Sequence, residues 1–386
     1  MRFSQPTTAR QINRLRVLNL IALNEGFSRA DVSRKLGLNK VSTSEIVDLL
    51  VKEQIITETG TRTTSSGRPP ITLELQKDVK MILAIDVGTR NTSVALVNLV
   101  GDMLRFERFP TAKNPQPEQM AATIIQSANK FLARMKDPKS LSGMVVSINA
   151  VVEPATGAII RAKQWDWESV PLAYALSKHV PFPVIVENNV KAMVLGERWF
   201  ADIAQDTSYF YVNWGEHIGA AWLTAGKIMD HDSQFGHIPL AKTGTCRCGA
   251  TGCLETLAAG WALVEGIPGV SSVKQLCIMA ESSKPIEKKL EQAMHSMAQG
   301  LLFASAILRP QKIIMGGGIS ALPEHYFAIL QNTFQDNTPP LIKESTSIER
   351  TSLGERAGIL GTAAIGLDEF VFKRSLLEQL QQHQGR

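Results

Sequence analysis

The chain has 386 residues, 44% of them hydrophobic and 20% charged, with a formal net charge of +5 at pH 7. That length exceeds one ordinary core, so two or three packed units are expected. No apolar run approaches the ~20 residues needed to cross a bilayer, and no secretory leader pattern opens the chain, so a cytoplasmic protein with no membrane partner is expected. The charge is unevenly spread: residues 1–76 carry eleven Lys and Arg against seven Asp and Glu. A basic segment ahead of a nearly neutral remainder suits a polyanionic partner.

In chain order, Ile12, Leu15, Val17, Leu18, Ile21 and Ala22 recur at helical spacing and stop at Asn24-Glu25-Gly26. Ser28, with Asp31 in the capping-box position, starts a second short helix that buries Val32, Leu36 and Leu38 and closes at Gly37. A third runs from about Lys40 through Leu50, with Val41, Ile46, Val47, Leu49 and Leu50 expected inside and Ser42, Thr43, Ser44, Glu45 and Asp48 mostly outside. Two alternating β-prone stretches, 55–59 and 71–75, flank the polar tract 60–70. Three helices, strand, flexible tip and strand describe a winged helix-turn-helix over 1–76. Its expected DNA contacts are Asn39, Lys40, Ser42, Thr43 and Ser44 at the head of the third helix, with Arg68 in the wing aimed at a minor groove.

From Met81 an apolar run enters Asp86-Val87-Gly88-Thr89, followed by a second strand at 93–97. Further strands are expected at 143–148, 184–186, 209–212 and 313–315, with helices at 118–135, 190–201 and 286–308, an α/β pattern. The Leu- and Gln-rich tail over about 368–384 reads as an amphipathic helix.

The strongest local signal is His237 followed by Cys246, Cys248 and Cys253, where glycines permit tight turning. Three thiolates and an imidazole make a closed tetrahedral set, so structural zinc is expected; a redox pair or scattered buried thiols is the alternative. Cys277 stands outside the cluster.

Gln234-Phe235-Gly236-His237 followed by the run 246–255 resembles the signature of the ROK family (repressors, open reading frames and sugar kinases). The resemblance extends to the N-terminal helices with their Ser66-Gly67-Arg68-Pro69-Pro70 segment, Asp86-Val87-Gly88, Glu187-Asn188-Asn189 and Gly316-Gly317-Gly318. It implies an actin-like (ribonuclease H-like) fold of two α/β lobes, 80–190 with the 368–386 helix packed on it, and 191–367 with the zinc site. It also implies sugar contacts from Asn188, Asn189, Gln234, His237 and Glu255.

Three departures from the family pattern argue against phosphoryl transfer. Asn189 stands where the kinases carry the aspartate base, and an amide cannot accept the sugar proton. Thr89 replaces a glycine of the first phosphate loop, and Glu216 sets a carboxylate where a triphosphate would approach. The expected function is therefore a sugar-responsive DNA-binding repressor of carbohydrate-utilisation genes, acting as a homodimer or dimer of dimers on operator DNA. Xylose or a related neutral sugar is favoured because no extra basic cluster is evident for a phosphorylated one. Trp165 and Trp167 offer an apolar face to a sugar ring, with packing the preferred role for Trp167. The alternatives are an ATP-dependent sugar kinase with a DNA-binding appendage and a repressor regulated by a protein partner.

Overall fold

The structure, a computed structural model, describes residues 6–24, 26–61, 70–201, 203–204, 206–229, 233–318 and 322–373. Helices α1 (Pro6–Leu23), α2 (Arg29–Leu36) and α3 (Lys40–Lys52) precede an antiparallel pair, β1 (Ile56–Thr61) and β2 (Ile71–Leu75). Ser28 caps α2 as expected: its hydroxyl accepts the Asp31 N–H at 3.3 Å and the Asp31 carboxylate accepts the Ser28 N–H at 3.0 Å. Gly37, at φ +66°, closes the helix in the left-handed conformation. Val17, Leu18, Ile21, Val32, Ile46, Val47, Leu50, Ile56 and Leu73 share one buried core, and an Arg14–Glu53 ion pair ties α1 to the end of α3. This unit fits a DNA-binding domain.

The phase of α3 corrects two expectations. Thr43, expected outside, is buried and its hydroxyl donates to the Asn39 carbonyl at 3.0 Å, whereas Val41, expected inside, is 69% exposed. The reason is helical geometry: Thr43, Val47 and Leu50 fall on one stripe, and Val41, Glu45 and Asp48 on the opposite one. Arg68 lies outside the described residues, as do 374–386 of the expected tail helix.

The next sheet is ordered β10-β6-β3-β4-β5, from β3 (Met81–Val87), β4 (Asn91–Asn98), β5 (Met103–Pro110), β6 (Leu141–Ile148) and β10 (Val184–Asn188). Helices α4 (Pro117–Leu132) and α5 (Leu172–Ser177) share a core with it, and a small sheet of β7 (Val151–Val152), β8 (Ile159–Ala162) and β9 (Trp167–Val170) stands beside β6. Helix α6 (Asn189–Phe200) continues directly from β10.

The second five-stranded sheet, ordered β13-β12-β11-β14-β15, comprises β11 (Tyr209–Trp214), β12 (Ile218–Thr224), β13 (Lys227–Ile228), β14 (Lys312–Gly316) and β15 (Ser347–Arg350). Between β13 and β14 come α7 (Leu254–Ala258), α8 (Gly260–Val264), α9 (Val273–Ala280) and α10 (Lys284–Leu308). Helices α11 (Glu324–Asn337) and α12 (Pro340–Lys343) precede β15, and α13 (Ala357–Gly366) follows it. Helices α6 and α13 pack on each other and share a core with both sheets, through Val190, Met193, Leu360 and Ala363 against Ala84 and Ala95 on one side and Tyr209, Tyr211 and Ile314 on the other.

The chain then makes a wide helical turn over Leu367–Phe372. Phe370 lies over Gly143 of β6, where a Cβ would meet its ring at 2.3 Å, so only glycine admits this approach. The carbonyl of Phe372 accepts the Asn19 side-chain amide at 2.9 Å, and Phe372 is buried in the same core as α1. The end of the second lobe's chain path thus lands on the N-terminal unit.

Glu197, within the layer between the sheets, is 1% exposed and accepts the Thr351 hydroxyl. Burial pushes its carboxyl from 4.5 up to about 7 despite that bond. A raised carboxyl favours the folded state fully below its ordinary value, and that contribution falls as pH climbs through 7, by about 3 kcal/mol in all. A Glu197→Gln variant, which keeps the acceptor, should therefore melt higher than wild type at pH 8, with the gap closing toward pH 4.5. Melts across that range would show it, and a gap independent of pH would contradict it.

Candidate functional site

His237 ends a short turn after β13, Cys246 and Cys248 sit on the following loop, and Cys253 is the residue from which α7 starts. Gly252 makes the loop possible: at φ +71° it lies so close to the Ala241 carbonyl that a Cβ would stand 1.7 Å from the oxygen. One ligand atom from each of the four residues falls within 4.8 Å of the others. The Cys248 and Cys253 sulfurs are 3.7 Å apart, and His237 Nδ1 is 3.6 Å from the Cys246 sulfur. A tetrahedral ion with bonds of about 2.3 Å to sulfur and about 2.05 Å to nitrogen demands separations of about 3.8 Å and about 3.6 Å. The two separations match that geometry, and the four residues could hold a metal ion.

The loop that carries Cys246, Cys248 and Cys253 delivers Glu255 into the cleft between the lobes. Its carboxylate is 2% exposed and accepts the Ile218 N–H at 2.8 Å and the Trp261 indole N–H at 3.2 Å, with His217 Nδ1 at 3.4 Å. Burial alone would raise its carboxyl, but His217, Ile218 and Trp261 outweigh that and hold it below the ordinary value. A fixed, charged acceptor results.

Beside it is a cavity of about 570 Å3 whose walls include Asn188, Gln234, His237 and Glu255, four of the five expected sugar contacts. Asn188 caps α6: its Oδ1 accepts the N–H groups of Val190 and Lys191 at 2.8 and 3.2 Å, and its amide donates to the Ala150 carbonyl at 2.9 Å. One amide hydrogen is left for a ligand. Asn189, the fifth, lines a second, adjoining cavity of about 1080 Å3; it is 6% exposed and its Oδ1 is a buried acceptor without a hydrogen-bond partner among the described residues. Trp165 and Trp167 line neither cavity. Both are buried, with ring centroids 4.8 Å apart, and Trp167 donates to the Pro115 carbonyl, so the sugar-face reading of this pair is replaced by packing.

The second cavity is walled by the two altered loops, with Gly88, Thr89 and Arg90 from the β3–β4 turn and Gly215 and Glu216 from the β11–β12 turn. Arg90 crosses the cleft to pair with Glu216 at 2.5 Å and donates to the Ser271 carbonyl at 2.9 Å. Asp86, at the end of β3, accepts the Ser147 hydroxyl at 2.8 Å, and burial pushes its carboxyl up.

Sequence reasoning missed the cations of the smaller cavity. Arg161, Lys163, Lys191 and Arg247 all line it, so the basic cluster whose apparent absence favoured a neutral ligand is present. They are scattered over 87 positions of chain, and only folding assembles them; the available hint was Arg247, placed between Cys246 and Cys248. On the N-terminal unit, Asn39 and Lys40 are exposed and Ser42 and Ser44 half-buried, but Asn39 Oδ1 accepts the Ser42 N–H at 2.7 Å as the cap of α3, leaving its amide N–H groups outward.

The ROK family profile matches residues 82–369, about three-quarters of the chain. The chain belongs to the ROK family. Among its ROK relatives, the xylose repressor of Caldicellulosiruptor bescii is 25% identical, over 95% of this chain and 98% of that protein. The glucokinase of Halalkalibacterium halodurans is also 25% identical but matches only 72% of this chain while spanning 92% of its own length. A solved ROK family transcriptional regulator, a homologue of the Escherichia coli MLC protein, superimposes with a TM-score of 0.80 at 20% identity, covering 96% of this chain and 99% of that one. The fold is therefore that of a ROK repressor, with the actin-like lobes shared by the sugar kinases.

Proposed function

We propose that this chain is a DNA-binding transcriptional repressor of carbohydrate-utilisation genes whose ROK lobes sense a sugar instead of phosphorylating it. The carrying observation is the match to a xylose repressor over 95% of this chain and 98% of that protein, where a glucokinase of the family leaves more than a quarter of the chain unmatched. Asn189 supports the sensor half. An amide at the head of α6 cannot act as general base, a role worth about 10²–10⁴ in rate, yet still hydrogen-bonds a sugar. The Arg90–Glu216 pair supports it further by setting a carboxylate in the nucleotide half of the cleft.

The N-terminal unit acts as a winged helix-turn-helix, with Lys40, Ser42 and Ser44 meeting the major groove and Arg68 an adjacent minor groove. A homodimer, or a dimer of dimers, holds two such units roughly 34–36 Å apart on a palindromic operator in the cytoplasm. Zinc is the ion for His237, Cys246, Cys248 and Cys253, because three thiolates and one imidazole are its preferred set. Its role is structural: it fixes the loop that presents Glu255 and Arg247. Sugar seated between Asn188, Gln234 and Glu255 draws the lobes together, and the Asn19–Phe372 contact gives that movement a path to α1.

Nuclease footprinting of the DNA upstream of the gene, with a coupled assay for ADP release from ATP and a sugar panel, tests this reading. A protected two-fold-symmetric site and no sugar-dependent ADP release are expected. Turnover of ATP with any sugar would replace the sensor by a kinase.

A further inference from the structure

We infer that the effector is an anionic sugar, one bearing a phosphate ester or a carboxylate, and that its anionic group sits between Lys163 and Arg247. The inference rests on the sugar-sensor reading above and specifies its ligand class. Among the described residues lining the smaller cavity, Arg161, Lys163, Lys191 and Arg247 face a single carboxylate, Glu255. Gln234, which lines the same wall, is a neutral amide.

The surplus persists after pairing is counted. Arg161 is matched by Glu168 at 2.7 Å, at the surface, and Lys191 stands 3.8 Å from Glu187. Lys163 reaches out of the turn between β8 and β9 and donates to the backbone carbonyl of Cys248, a neutral acceptor. Arg247, the residue before Cys248, lays its guanidinium over the Trp261 ring at 4.5 Å. Its nearest described carboxylate, Glu216 at 3.9 Å, is already engaged by Arg90 at 2.5 Å. Two cations from opposite lobes, Lys163 and Arg247, therefore converge on one stretch of loop, where the nearest carboxylate to Arg247 is shared with Arg90.

Like charges brought together favour separation, and an anion between them reverses the sign. A planar guanidinium held by its indole and a flexible ammonium suit phosphate or carboxylate oxygens, while Glu255 and Asn188 remain for the hydroxyls. Because one cation belongs to each lobe, the anionic group itself would favour closure, which makes charge the trigger as well as the label.

Calorimetric titration of the full-length, metal-loaded protein tests this with matched pairs: glucose against glucose 6-phosphate and gluconate, N-acetylglucosamine against its 6-phosphate, xylose against xylonate, and inorganic phosphate alone. At least one anionic member should bind about 10–100-fold more tightly than its neutral parent, the usual worth of a charge-assisted hydrogen bond. A phosphorylated or a carboxylated winner names the source of the charge. Lys163→Gln should erase most of that preference without lowering the thermal midpoint, Lys163→Arg should keep it, and raised salt should shrink it. A neutral sugar such as xylose binding as tightly as its anionic counterparts would overturn the inference and leave the sensor standing. Binding of no sugar, with DNA still bound, would overturn both.

Discussion

Replacing Cys253 with serine is expected to remove the metal ion and, with it, effector binding. Cys253 is at once the last ligand and the residue from which α7 starts, so the loop that positions His237, Arg247 and Glu255 loses its anchor in one step. Serine is a poor ligand for a borderline-soft ion, and structural zinc sites carry about 10–16 kcal/mol of binding free energy in isolated peptides. Part of that will be recovered by the buried contacts of Leu254 and Ala258, so a destabilisation of several kcal/mol is expected. Metal analysis should fall from one ion per chain to none, and a chelator should reproduce the loss in the wild type. Full effector affinity in metal-free protein would contradict this role.

Reversing the charge of Lys40 is expected to have the second large effect, confined to DNA. Lys40 is exposed at the first position of α3 and belongs to no described ion pair, so Lys40→Glu should leave the melt unchanged. Operator affinity should fall at least tenfold, and the dependence of log affinity on log salt should flatten by about one ion. Thr43→Val provides the contrast. Thr43 is buried under the helix with its hydroxyl on the Asn39 carbonyl, so its loss should lower stability and leave the salt slope intact. Equal effects of the two substitutions on the slope would show that α3 does not enter the groove by its head.

Much of the architecture is visible in the chain because its signals are local. Ser28, Asp31 and Gly37 delimit α2 by capping chemistry alone, and the apolar runs at 143–148, 184–186, 209–212 and 313–315 lie inside β6, β10, β11 and β14. The spacing of His237, Cys246, Cys248 and Cys253 already points to the cluster that the fold brings within 4.8 Å. Where the reading fails, the deciding contact is distant. Strand β5 alternates half-buried and exposed residues in the period of a strand, yet its Arg105, Glu107 and Arg108 resemble a loop until β4 is seen beside it. Val41 and Thr43 were interchanged because the phase of a helix is set by what it packs on, and a β-branched pair at its first turn does not reveal that. The cations of the cleft come from β8, the turn after it, α6 and the loop of Cys246 and Cys248, and no short stretch of sequence holds more than two of them.

The mechanism joins these parts through one layer. The head of α6 lines the cleft, α6 packs on α13, the two helices touch both sheets, and the turn after α13 ends at Phe372 against α1. Lobe closure that shifts α13 would alter how the N-terminal unit is held, and a coupling of only ~1–3 kcal/mol changes operator occupancy several-fold or more.

Fluorescence anisotropy of the purified protein on its own upstream DNA, at fixed salt and with and without the sugar panel, tests the repressor account most directly. The account predicts binding at least 10³-fold tighter than to random DNA, with affinity shifted about 5–150-fold by one class of sugar. Binding no tighter than to random DNA, whatever sugar is present, would contradict it.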